Sequence, residues 1–360
     1  MSGFFFATRQ GSCCLESITS RTQGPGKGPE RVLGIFENCI KLTIRSVRSK
    51  HCRRGLRRKW GFTLPVTRTK MDSMHRFLLH NAAIRETTEP CLSPGQVGFM
   101  NGWGVFSTLR VSGGAMFAFE RHWARMVRDA KRMHVPMPET PAEVLAGLSK
   151  LIEANAVVDG TLRVAIMRNH GGMFEAPAQT RKYEVIAFTT GLRAWGESVR
   201  LAVKRDARHG ACEFRGAKIT AWAQNLTWHE EAHDRGYDEV LLLDAHARVS
   251  ECTSANIFAA FGNEVLTPPL DSGCLPGITR EVLLEAIHVP GVSITERHLT
   301  LADLELADEV FITSTTRDLL AVREIEGLSL KQGGEGPRAR LCEAFRSYAV
   351  ATMAAKLTSV

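Results

Sequence analysis

Two sets of residues in this chain of 360 could do chemistry. The first is compact. His229-Glu230-Glu231-Ala232-His233 satisfies HExxH, in which two histidines one helical turn apart can bind zinc while the glutamate activates water. A pattern with two free positions arises easily by chance in a chain holding 12 histidines. The residues after it, Asp234-Arg235-Gly236, are polar, and no third ligand is marked downstream. The motif therefore reads as a solvated helix face, with a zinc metallopeptidase as the distant alternative and no metal site expected. The second set is dispersed and needs several segments to agree. Lys218 lies in GAKITAWAQ, Glu251 in RVSECTSANIF, Thr279 in LPGITREVLLEA, and Ser314-Thr315 in DEVFITSTT. The successive intervals Lys218 to Glu251, Glu251 to Thr279 and Thr279 to Thr315 are 33, 28 and 36 residues.

On these segments, above all LPGITR and the SE-x(4)-N-[IL]-F pattern, the sequence resembles the class IV, or fold-type IV, pyridoxal-5′-phosphate (PLP) enzymes. These comprise branched-chain aminotransferases, D-amino-acid aminotransferases and aminodeoxychorismate lyases. The resemblance runs from about residue 74 to residue 330. It implies a PLP cofactor carried by Lys218, which needs a dry pocket so that desolvation favours the neutral, nucleophilic amine. Lys218 then serves as anchor and as general base and acid. Glu251 matches the carboxylate that keeps the pyridine nitrogen protonated, so that the ring can act as an electron sink. The cofactor phosphate calls for helix N–H groups, hydroxyls and a guanidinium. Ile278 and Thr279 at a helix start, Ser314 and Thr315 at a strand end, and Arg125 in ERHWARMVRDA match that set.

The activity implied is transamination of an amino acid, branched-chain or otherwise hydrophobic, with a 2-oxo acid as acceptor. ITSTT and LPGITR resemble the transaminases, whereas GVFSTLRV is closer to the lyase form, so aminodeoxychorismate lyase is kept as the alternative. Branched-chain enzymes carry Tyr-x-Arg in the strand that here reads GTLRVAIMRNHGG. Arg163 is present, but Thr161 and Leu162 stand where the aromatic is expected. Arg168 is a candidate carboxylate ligand of the kind found in D-amino-acid aminotransferases, which is a further alternative. Phe106, Trp222 and Thr316 complete the expected substrate pocket, and Trp103, Val105, Phe106 and Trp222 give it apolar character. The resemblance also implies a homodimer with the site completed by a neighbouring subunit.

The elements that must position these residues fall into two groups. VFSTLRV and AMFAF flank Ser112-Gly113-Gly114 as a hairpin. HWARMVRDAKRM and the proline-started PAEVLAGLSKLIEANAV have helical spacing, and LRVAIM and YEVIAFTT read as strands. This predicts a small N-terminal α+β domain over 71–192, a linker at GLRAWGE, and a larger mixed C-terminal α/β domain over 198–360 that binds PLP. In the latter, VRLAVK, DEVLLLD, ANIFAAF, EVLTPP, SITERHL and DEVFITS are expected strands. LTWHEEAHDRG, TREVLLEAI and ARLCEAFRSYAVATMAAK are expected helices.

Composition removes other classes. With 44% apolar residues the chain can bury real cores, and it contains no run of the eighteen or more apolar residues that a membrane span needs. The net charge of +8 belongs to residues 1–70, where 15 Lys and Arg face 3 Asp and Glu, leaving 31 against 35 for the remainder. Residues 1–70 read as a basic, disordered extension, either a targeting segment or an upstream stretch, with Met71 or Met74 as natural starts. No nucleic-acid or membrane partner is expected. The nine cysteines form no CxxC pair, which suits reduced thiols and a cytoplasmic location.

Overall fold

A computed structural model describes residues 73–173, 175, 180–331 and 336–357. The basic segment 1–70 lies outside the described residues. Two sheets form the framework. The first takes β1 (Met74–His80), β2 (Ala83–Glu86), β3 (Gly104–Ser112), β4 (Ala115–Met116), β5 (Gly160–Arg168) and β6 (Tyr183–Thr190) in the order β2-β1-β6-β5-β3-β4, antiparallel throughout. Between its strands come α1 (Val97–Asn101), α2 (Phe119–Arg132) and α3 (Pro141–Ala154). The second sheet takes β7 (Ser198–Arg208), β8 (Glu239–Asp244), β9 (Val249–Cys252), β10 (Asn256–Phe261), β11 (Glu264–Thr267), β12 (Ser293–Glu296), β13 (Glu309–Ser314) and β14 (Asp318–Ile325). Their order is β12-β11-β10-β13-β14-β7-β8-β9, mixed parallel and antiparallel. Its helices are α4 (Ala223–Asp234), α5 (Ile278–Glu285), α6 (Leu301–Leu306) and α7 (Pro337–Leu357).

The side-chain period explains the layers. In β5 the buried residues Leu162, Val164 and Ile166 alternate with Thr161, Arg163 and Ala165. The first set joins the core beneath the helices with Leu109 of β3, Met126 of α2 and Leu148 of α3. Arg163 is thereby turned to the opposite face. β10 has no such alternation, because both faces of the second sheet are covered. Ile257 and Ala259 pack with Leu201 and Leu241, while Phe258 and Ala260 pack with Val282 and Phe345. Phe258 stacks on Phe311, its register partner in β13, with ring centroids 5.2 Å apart.

One expected strand is mostly something else. AMFAF keeps only Ala115–Met116 as strand, and Phe117 and Ala118 leave the sheet to join the core of α5 and α7 before α2 begins. A period-two reading cannot see that Ala118 takes a left-handed turn at the helix start (φ 52°). β1, β2, β9 and β14 are not among the expected strands. Among the described residues no helix is long and apolar enough to cross a membrane.

Candidate active site

Lys218 is held by its backbone, while its amine makes no hydrogen bond or ion pair with any described residue. The stretch around it runs along the edge of β3. Phe106 N donates to Lys218 O at 3.1 Å, and Thr220 N donates to Gly104 O at 2.9 Å. From α2, Asp129 Oδ2 accepts from Lys218 N at 3.0 Å. Gly216 precedes this stretch in a left-handed conformation (φ 65°), and a Cβ there would sit 2.7 Å from Cys274 O. The Lys218 Nζ lies 4.6 Å from the Phe106 ring centroid. Burial, together with the Arg125 and Arg163 cations, lowers the amine to about 7 against the opposing pull of Glu251 and Asp129.

Glu251 comes from β9 and is buried. Its Oε1 accepts from Arg208 Nε at 3.0 Å and its Oε2 from Leu275 N at 3.0 Å. Asn256, the asparagine of the SE-x(4)-N pattern, donates from Nδ2 to Leu275 O at 2.8 Å. The two motifs quoted from the sequence are thus physically joined at Leu275. Two residues on, Gly277 is the N-cap of α5, and a Cβ there would lie 2.0 Å from Asn256 Oδ1.

That helix start is built so that it could cradle an anion. Gly277 supplies no side-chain cap, so the first N–H groups of α5 lack one. Thr279 Oγ1, Thr313 Oγ1, Ser314 Oγ and Arg125 Nε are buried and have no hydrogen-bond partner among the described residues. Such a cluster of orphaned polar atoms around a helix N-terminus fits a missing anionic group rather than a finished core. Arg125 NH1 reaches Pro276 O at 3.3 Å and NH2 reaches Ser107 Oγ at 2.9 Å. Burial brings its guanidinium down to about 10, with Asp129 pulling the other way.

These groups line one cavity of about 460 Å³. Phe106, Arg125, Arg163, Lys218, Trp222, Glu251, Ile278, Thr279, Ser314, Thr315 and Thr316 all face it. The Arg163 guanidinium lies 3.9 Å from the Phe106 centroid and 6.0 Å from that of Trp222, and burial lowers it below its usual value. Arg168 does not line the cavity. Its NH1 donates to His134 O at 2.7 Å, its Nε donates to His170 O, and its guanidinium covers the Trp103 ring. At the end of β5 it donates to two backbone carbonyls and so closes a loop.

Several residues of the site carried no sequence signal. Arg208 and Asp129 hold Glu251 and the Lys218 backbone from distant positions. Trp195, in the connection 191–197, lines the cavity between Arg193 and Arg317, whose guanidinium carbons lie 4.1 and 3.8 Å from its ring centroid. Arg317 in turn pairs with the buried Glu239 at 3.0 Å. The spacing of Arg125 and Asp129 on one helix face was the only available clue to any of them. The HExxH residues lie on α4 with the two imidazoles stacked 6.5 Å apart, and no cluster of metal-ligating side chains occurs among the described residues.

Residues 104–325 match the family model for amino-transferase class IV, and the chain belongs to that family. It is 26% identical over 264 residues to the D-alanine aminotransferase of Bacillus licheniformis, covering 72% of this chain and 92% of that one. It is 28% identical over 260 residues to the branched-chain-amino-acid aminotransferase of Escherichia coli, covering 68% and 83%. The crystal structure of the Escherichia coli branched-chain amino acid aminotransferase superimposes with a TM-score of 0.70 at 24% identity, covering 76% of this chain and 95% of that one. The mixed α/β, fold-type IV architecture expected from the sequence is therefore the fold found, and it is built on two sheets.

Proposed function

We propose that the protein is a PLP-dependent aminotransferase that exchanges the amino group of a hydrophobic or branched-chain amino acid with a 2-oxo acid. The observation that carries this reading is the meeting, in one cavity, of a buried amine at Lys218, a doubly anchored carboxylate at Glu251 and the orphaned donors of the α5 cradle. Lys218 would hold the cofactor, Glu251 its ring nitrogen, and Arg125, Ile278, Thr279, Ser314 and Thr315 its phosphate. When bound, the cofactor supplies a carbonyl that condenses with amines and a ring that withdraws electrons from the substrate α-carbon.

The remaining chemistry belongs to the chain. An amine near 7 is present in both protonation states at neutral pH, so Lys218 Nζ can take a proton from one site and return it at another. Glu251, held on two sides, offers its remaining lone pairs to one further donor in the cavity. Arg163 has no carboxylate partner among the described residues and lies on two aromatic rings, which suits it to attract a substrate carboxylate. Phe106 and Trp222, edge to face at 6.2 Å, wall the same side against water. The small domain is assigned to 71–192, the large one to 198–360, and the working form to a cytoplasmic homodimer.

The test is an absorbance spectrum of the purified protein with L-leucine, D-alanine and 2-oxoglutarate supplied in turn, beside Lys218→Ala. A cofactor band that L-leucine shifts, that 2-oxoglutarate restores and that the variant lacks supports the reading. A shift with D-alanine alone moves the substrate to the D series. Release of pyruvate from aminodeoxychorismate without a change of cofactor form identifies the lyase. A protein that takes up no PLP sinks all three.

A further inference from the structure

The buried stripe of α2 is built the wrong way for a core helix. Phe119, Met126 and Ala130 bury apolar surface, as an amphipathic helix should. Yet the same stripe carries His122, Arg125 and Asp129, three and four residues apart, at 1%, 6% and 1% exposure. The strand beneath repeats the anomaly. Val105, Leu109 and Val111 of β3 face α2, and Ser107 interrupts them, fully buried. Asp129 is accounted for by the Lys218 backbone. Among the described residues, the side-chain hydrogen bonds of Ser107 and His122 reach no cavity group except Arg125.

The hydrogen bonds have one consistent direction. Arg125 NH2 lies 2.9 Å from Ser107 Oγ, and a guanidinium can only donate, so the serine oxygen accepts there. The serine hydrogen is then free for His122 Nδ1, 2.7 Å from the same oxygen. His122 then accepts at Nδ1 with its proton on Nε2, the neutral tautomer that gives the serine hydrogen an acceptor. Burial and the nearby Arg125 and Lys218 cations push its pKa well below the usual histidine value, in agreement. The Nε2 donor is buried without a partner among the described residues, so the ring is not there to satisfy a network on its other side.

We propose that His122 and Ser107 are positioning residues that set the guanidinium plane of Arg125 toward the α5 cradle. The pair rests on the reading of Arg125 as a phosphate ligand. Without the serine oxygen, Arg125 keeps one long bond, 3.3 Å to Pro276 O, and its plane is free to rotate about it. Without the imidazole acceptor, the serine hydroxyl turns to find another, and its lone pairs turn away from Arg125.

The experiment measures, on the full chain stripped of cofactor, the dissociation constants of PLP and of pyridoxal, which lacks the phosphate. Their ratio reads the phosphate contacts separately from the stability of the fold. Ser107→Ala and His122→Leu should each cut the preference for PLP by roughly tenfold, the usual worth of one hydrogen bond to a charged group. Ser107→Ala/His122→Leu should lose no more than either alone, since the two act in series. His122→Asn, whose amide oxygen can replace Nδ1 as acceptor, should keep most of the preference even if it lowers the melting temperature. Independent, additive losses overturn the proposal. So does an unchanged ratio in both single variants while Arg125→Ala abolishes the preference. If Arg125→Ala itself leaves the ratio unchanged, the phosphate role of Arg125 has failed and the positioning role falls with it.

Discussion

Arg208 Nε donates to Glu251 Oε1 at 3.0 Å on the side of the carboxylate opposite to the one that takes Leu275 N. Arg208 ends β7 and Glu251 lies on β9, with β8 between them, so the pair spans three strands at the floor of the cavity. A guanidinium in this position, with Leu275 N on the other oxygen, fixes the plane of the carboxylate. Replacing Arg208 by Met should therefore lower kcat by about 10- to 100-fold, the equivalent of a lost charged hydrogen bond. The loss should appear also as weaker retention of PLP on gel filtration. An unaltered kcat would show that Leu275 N alone suffices to orient Glu251.

The Lys218 amine should make the cofactor-free protein more stable as the pH rises. In the folded chain the amine loses its proton near 7, whereas its ordinary value is 10.5. Between those limits the unfolded chain binds one proton more than the folded one, so unfolding becomes harder with rising pH. The penalty for burying the amine is complete below 7 and gone above 10.5. Lys218→Met, which removes the charge and keeps the length, should raise the melting temperature of the cofactor-free protein at pH 6 and narrow its advantage by pH 10. Scanning calorimetry at both values checks this, and equal melting temperatures at pH 6 would contradict a buried amine.

Glu239 and Arg317 test how the wall behind the cavity is held. The Glu239 side chain has no exposed surface, and the Arg317 side chain is 3% exposed. Burial alone would raise the Glu239 carboxyl, but Arg317, Ser254 and Thr253 together bring it below the usual range. Arg317→Ala leaves a buried charge uncompensated and should cost about 3–5 kcal/mol. Because the depressed carboxyl contributes stability above its ordinary value of 4.5, this pair's contribution should be lost as the pH falls below that value. Urea titration at pH 7 and pH 4 reads both effects, and Glu239→Gln/Arg317→Met should recover much of the loss at pH 7.

A single methyl group at Gly277 probes the joint between the two motifs. Its Cβ would meet Asn256 Oδ1 at 2.0 Å, too close for either to stay, and Asn256 holds Leu275 O. Gly277→Ala should cost about 1–3 kcal/mol as a forced small-to-large change and should tilt the first turn of α5. The expected signature is a larger loss of affinity for PLP than for pyridoxal. Equal losses for both would place the strain outside the cradle.

The local pattern carried most of the framework. Alternation in LRVAIM, helical spacing in HWARMVRDAKRM, and the Gly262-Asn263 break between ANIFAAF and EVLTPP each became the element expected, with Phe261 opposite Glu264 across that turn. These readings succeed because a strand or helix shows its period within about ten residues. AMFAF failed for the same reason in reverse. Its hydrophobic side chains belong to two cores, and the period within the segment cannot say where one ends.

The site divides along a similar line. Lys218, Glu251, Thr279, Ser314 and Arg125 stand out in the chain because each lies in a short motif, and the fold gathers them into one cavity. Arg208 and Trp195 lie in no such motif, and Ser107, His122 and Asp129 lie inside quoted segments that do not single them out. Each acts on a residue or ring that lies far from it in the sequence or in another element, as Asp129 does on Lys218 and Arg317 on Trp195. A hydrogen bond over 3 Å depends on where two backbones arrive, and that follows from the packing of whole sheets and helices rather than from any segment's own residues. The identity of the reactive groups was thus written in short stretches of sequence, while their orientation, protonation and enclosure came from the folded chain.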